Sequence, residues 1–98
     1  MLHFVITLPP PKAADVVERE LTITVGSQEA QTVHPELAAE ETQEFSGEDN
    51  DAVHAELVDI DDATPPNRSE PSVLDGVLVD TLAPPQPGQM GIRVTRED

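Results

Sequence analysis

Residues 52–82 read AVHAELVDIDDATPPNRSEPSVLDGVLVDTL, and the fold turns on how this stretch divides. Apolar and polar residues alternate through "AVHAELVDI" at the period of two that marks a half-buried strand. Val53, Ala55 and Leu57 take one face; His54 and Glu56 take the other. "SVLDGVLVDTL" reads as a second strand, with Gly76 as a bulge or a point of close approach. Between them lie Asp59, Asp61, Asp62 and Glu70, the ingredients of a calcium loop or of a solvated turn. With Asp59 at position one of a calcium-binding EF-hand loop, Asp61 falls at position three and Glu70 at position twelve, as required. Position five is then Ala63, which has no ligand, and position six is Thr64, where the sharp turn needs glycine. Pro65 and Pro66 forbid the loop's backbone course, so the EF-hand is rejected. A looser calcium site at a sandwich end, drawing on Asp59, Asp61, Asp62 or Glu70, is the weak alternative. The favoured reading needs no metal. Asp59 and Asp61 continue the parity of Leu57 past the end of the core face and look out at water, while Asp62, Asn67 and Ser69 shape the turn.

The same alternation runs outward along the chain. "LHFVITL" (2–8) sets Leu2, Phe4, Ile6 and Leu8 on one face before Pro9-Pro10-Pro11 stops it. "ERELTITV" (18–25) sets Leu21, Ile23 and Val25 on one face, and Gly26-Ser27 turns it. "EAQTV" (29–33) is weaker. "ETQEF" (41–45) is a weak fourth strand, ended by "SGEDND". A short helix over 35–45 competes with it, because Pro35 suits a first helical position and Leu37, Glu41 and Phe45 stack at helical spacing. "MGIRVTR" (90–96) is the last strand, with Met90, Ile92 and Val94 on one face. Seven short strands separated by turn signals predict an all-β, antiparallel, immunoglobulin-like sandwich of two sheets.

Composition narrows the function. The 98 residues hold 20 acidic and 5 basic side chains, a formal net charge of −15. Contact with nucleic acid or an anionic membrane needs clustered Lys and Arg, so neither is an expected partner. There is no cysteine, hence no disulfide and no thiolate chemistry. With Phe4 and Phe45 the only aromatics, the core must come from Val, Leu, Ile and Ala. The opening "MLHFVITLPPPK" lacks a cationic region and its apolar run is short, so it reads as a strand and not as a signal peptide. His3, His34 and His54 sit on separate segments and do not suggest a zinc site. Glu48-Asp49-Asn50-Asp51 reads as an acidic hairpin loop. No nucleophile elbow or phosphate-binding loop is present, so no catalytic residue and no cofactor is expected.

The run "LVDIDDATPPNRSEPS" followed by "VLVDTLAPPQPG" resembles bacterial fibronectin type III-like and other immunoglobulin-like modules. Asn67, Ser69, Pro71 and Ser72 match the turn of those modules, and Asp80-Thr81 matches the exit from the next strand. Thr64-Pro65-Pro66 makes this loop longer than theirs, and the buried Trp and corner Tyr of the architecture are missing. The resemblance covers about the C-terminal third. It implies a binding or spacer module and not a catalyst.

The ends carry the functional expectation. Residues 1–12 form a strand that ends in proline. Residues 84–98 form a Pro-rich connector (Pro84 to Pro87) and a strand. Both are read as extended arms on a sandwich body of residues 13–83, able to pair with a neighbour's sheet edge. Leu2, Phe4, Ile6, Met90, Ile92 and Val94 are then the anchoring side chains. The expected function is structural: an accessory or decoration subunit of a bacteriophage-like particle, in contact with copies of itself or with a larger shell. A cell-surface or secreted adhesion module, with or without a cation-dependent ligand loop, is the alternative.

Overall fold

The computed structural model describes residues 2–11, 13–37, 41–79 and 89–96. Seven strands are present: β1 (Leu2–Leu8), β2 (Val16–Val25), β3 (Gln31–Val33), β4 (Glu41–Gly47), β5 (Ala52–Asp61), β6 (Ser72–Val77) and β7 (Gly91–Arg96). They form two antiparallel sheets, one in the order β4-β1-β7 and the other in the order β3-β2-β5-β6. No helix occurs among the described residues. The all-β, two-sheet, seven-strand expectation therefore holds.

The core follows from parity. Side chains alternate across a strand, so one buried face admits one register. Leu2, Phe4, Ile6 and Leu8 of β1 face Leu21, Ile23 and Val25 of β2 and Val53, Ala55 and Leu57 of β5, all buried. Each of these side chains except Ala55 stabilises the fold by about 1.5–3 kcal/mol when fully buried. Phe4 lies opposite Phe45 with ring centroids 5.7 Å apart, and the chain's two aromatics thereby join β1 to β4. That pairing decides the contest over 41–45. The glutamate-rich segment favours a helix locally, but only as a strand does it set Phe45 on Phe4. Residues 38–40 of the competing helix lie outside the described residues.

The strand expected over 72–82 ends at Val77. Leu78 leaves the ladder for the β4–β5 turn, accepting from Asn50 N (2.9 Å) and donating to Asp51 O (2.9 Å), and its side chain is buried. The pairing of β5 with β6 runs unbroken through Gly76, so no bulge is present there. The glycine marks close approach instead: a Cβ on it would stand 3.1 Å from Ile92 Cδ1 of the facing sheet. Gly26 turns the chain out of β2 with φ +54°, the left-handed region that favours glycine.

The strands of the two segments read as arms, β1 and β7, pair with each other. β1 is the central strand of its sheet, between β4 and β7, and Phe4 and Ile6 have no exposure at all. Leu2, Phe4 and Ile6 are thus core residues of this chain. Met90 is buried as well, and Ile92 and Val94 pack half-buried against the core. The Pro84–Pro87 connector and the Asp80-Thr81 exit lie outside the described residues.

Candidate functional site

The acidic end of β5 is where chemistry was in question. β2 and β5 pair with Arg19 opposite Asp59, and both continue the inward parity of their strands, Arg19 behind Leu21 and Asp59 behind Leu57. Arg19 is 1 % exposed and Asp59 5 %. Arg19 Nε donates to Asp59 Oδ1 at 2.8 Å, and Nη1 donates to the Pro9 carbonyl at 2.7 Å, tying the exit of β1 to the other sheet. The sequence placed Asp59 in water. The structure puts it inside, because Arg19 from the neighbouring strand supplies a counter-charge that no reading of residues 57–74 alone contains. A buried charge is tolerable only when paired and hydrogen-bonded in this way.

The remaining acids shape the loop. Asp61 Oδ1 accepts from Ala63 N (3.1 Å) and Asn67 N (2.8 Å), and Oδ2 accepts from Asn67 Nδ2 (3.0 Å). These bonds, the one from Asn67 N foremost, hold the Asp61 carboxyl below its ordinary value. Ser69 Oγ accepts from Asp59 N at 2.9 Å, and Ser69 N donates to Asp59 O at 2.8 Å. Arg68 pairs with Glu20 across the sheet. Asn67 and Ser69 do the turn-forming work expected of them, while Asp62 and Glu70 are exposed. The four candidate calcium ligands therefore do not converge: Asp59 faces Arg19 and Asp61 faces the turn's own amides. Among the described residues, no group of three or more His, Asp or Glu side chains is placed to hold a metal ion.

The three histidines are dispersed over β1, the segment after β3, and β5. His54 stands on the outer face of β5, its Nδ1 2.5 Å from Asp75 Oδ1 on β6 and its Nε2 3.6 Å from Glu56. The hydrogen bond to Asp75 lifts the His54 pKa above 6.5 against the opposing effect of desolvation, with the charges of Asp75 and Glu56 adding to the rise. In the β4–β5 turn, Asp51 Oδ2 accepts from Glu48 N at 2.9 Å, and Asn50 adopts φ 67°. The acidic run 48–51 is thus the hairpin loop expected. An open groove of about 290 Å³, lined by His3, Gln28, Gln31, Glu44, Phe45 and Ser46, runs between β3 and β4, bridged by Gln28 Nε2 donating to Ser46 O at 3.3 Å.

Arg19 and the exposed valines of β6 escaped the sequence reading. Arg19 shares the parity of Leu21 and Ile23, and that parity was the available signal. Val73 (54 % exposed) and Val77 (43 %) lie on the outer face of an edge strand, with Val79 (37 %) just beyond. Val73 and Val77 share the parity of Asp75, opposite to Leu74, and that alternation was the available signal for their outward face. Comparison with known proteins finds no matching family model, no matching curated protein and no matching solved structure, so the geometry alone carries the functional reading.

Proposed function

We propose that this chain is a non-catalytic interaction module of the immunoglobulin type. Its most concrete role is that of an accessory or decoration subunit of a bacteriophage-like particle, working by protein–protein contact. The observation that carries the reading is the β6 edge. Val73, Val77 and Val79 expose apolar surface on a chain of net charge −15, beside a row of main-chain groups with no further strand to pair with among the described residues. An exposed apolar edge on a strongly acidic chain suits a partner that adds a strand or lies flat on the sheet.

Strand order supports the immunoglobulin-type reading. If β7 is lettered A, and β1, β2, β4, β5 and β6 are lettered B, C, E, F and G, the sheets become A-B-E and C-F-G, the groupings of that architecture. The short β3 lies beside C. The last strand of this chain occupies the place of the first.

The test is fractionation of particles from a culture expressing the chain, with quantitative mass spectrometry of the density-gradient bands. The proposal expects many copies per particle, and loss of association for a folded Val73→Lys/Val77→Lys variant. Recovery only from the particle-free fraction overturns the particle assignment. Full association of the double variant overturns the β6 surface.

A further inference from the structure

β6 and β7 lie on facing sheets and run the same way. β6 ends near the start of β1: Leu78 Cδ1 stands 2.7 Å from where a Cβ on Gly47 would be, Gly47 pairs with Leu2, and Leu2 pairs on its other side with Arg96. β7 enters at the opposite end, where Gly91 pairs with Thr7. The chain therefore leaves β6 at one end of the sandwich and enters β7 at the other. The intervening sequence, Val79 to Gln89, contains Pro84, Pro85 and Pro87. Eleven residues of Pro-rich chain reach about 34 Å when extended, against about 20 Å for the length of a strand such as β1.

β7 is the last of the seven strands in chain order. Among the described residues it pairs with β1 alone, from Leu2↔Arg96 to Thr7↔Gly91, and forms an edge of its sheet. Its contribution to the core is concentrated in Met90, Ile92 and Val94. The slot it fills is the free side of β1 over Phe4 and Ile6, with Gly76 opposite leaving room for Ile92. A second copy offers the same residues in the same register. Cis and trans pairing thus make identical contacts, and the balance between them is set by the connector and by concentration.

We propose that β7 exchanges between copies: residues 90–96 of one chain fill the slot beside β1 of another and link copies through the Pro-rich segment. This rests on the interaction-module reading and names a second copy of the chain as the partner. The length of the intervening sequence is ample to reach a neighbouring sandwich. Exchange also leaves the β6 valines open for a different contact.

A disulfide trap tests this without reference to any particle, so its failure would leave the fractionation test standing. The chain has no cysteine, so Val5→Cys/Arg93→Cys creates a single possible bond between directly opposed positions of β1 and β7. Cross-strand partners fall within the Cα separation a disulfide accepts. The variant is unfolded, refolded at concentrations from about 1 μM to about 1 mM, and only then oxidised and run without reductant. The expected result is an intrachain-bonded monomer at low concentration, giving way to covalent dimers and higher multiples as concentration rises. A permutant that joins residue 98 to residue 1 by a short turn and opens the chain between Pro85 and Gln86 keeps β7 and β1 in one hairpin. Carrying the same two cysteines, it is expected to stay monomeric throughout. Intrachain monomer at every concentration for the original order, or an identical ladder from the permutant, would overturn strand exchange.

Discussion

Asp59→Asn removes the counter-charge of a guanidinium that is 1 % exposed while leaving its shape almost unchanged. Arg19 keeps its bond to the Pro9 carbonyl, but the ion pair at 2.8 Å is reduced to a bond from the guanidinium to a neutral amide oxygen. Breaking one side of a buried pair costs about 3–5 kcal/mol. Domains of this size hold roughly 5–15 kcal/mol in total, and each kcal/mol moves the melting temperature by about 4–8 °C. The variant should therefore melt about 12–40 °C lower. The chain has no Trp or Tyr, so the assay is urea and thermal unfolding followed by far-ultraviolet circular dichroism. Two companions locate the cause. Asp61→Asn, which touches only the exposed turn, should lose much less. Arg19→Met/Asp59→Leu removes both charges together and should recover most of the loss, because well-packed apolar replacements of a buried pair are commonly neutral or better. An Asp59→Asn protein that unfolds within about 1 kcal/mol of the parent would refute the reasoning. So would a parent stabilised by calcium through Asp59.

Two further outcomes are expected. Followed by NMR, His54 should titrate above 6.5, and Asp75→Asn should lower its midpoint; because the folded value is raised, the pair's stabilisation is full below 6.5 and is lost as pH rises through the folded midpoint. The stability gap between parent and Asp75→Asn should accordingly narrow from mildly acid to alkaline pH, and a gap that widens would contradict the pairing. Gly47→Ala would place a Cβ 2.7 Å from Leu78 Cδ1 and 2.8 Å from Val25 Cγ1, and overpacking of this kind should cost about 1–3 kcal/mol in urea unfolding.

The strands were legible because each carries its own evidence. β1, β2 and β5 alternate cleanly, and their buried sides are those that parity assigns. β4 was ambiguous for a physical reason: Glu41 to Phe45 suits a helix until Phe4 is known to lie across from it. The sheet order was not legible at all. It depends on pairings between distant segments, such as β1 with β7, that no local pattern encodes. The acidic end failed in an instructive way. Asp59 was given the correct parity and the wrong environment, since whether an inward acid is buried depends on the strand beside it. Arg19, also inward by parity, was the missing partner. Asp61, Asn67 and Ser69 behaved as their turn chemistry predicts, because those bonds are local.

β7 contributes to the core, and its proposed exchange would make it a bridge between copies. Light scattering of the full chain over a range of concentrations, beside a chain ending at Leu82, addresses that exchange most directly. The expected full-length mass climbs from the 10.6 kDa monomer in whole-chain multiples. The shortened chain, without Met90, Ile92 and Val94, should give no such series and should be stabilised by a peptide spanning residues 89–98. A full chain that remains a folded monomer at every concentration, or a shortened chain that assembles in the same series, would contradict it.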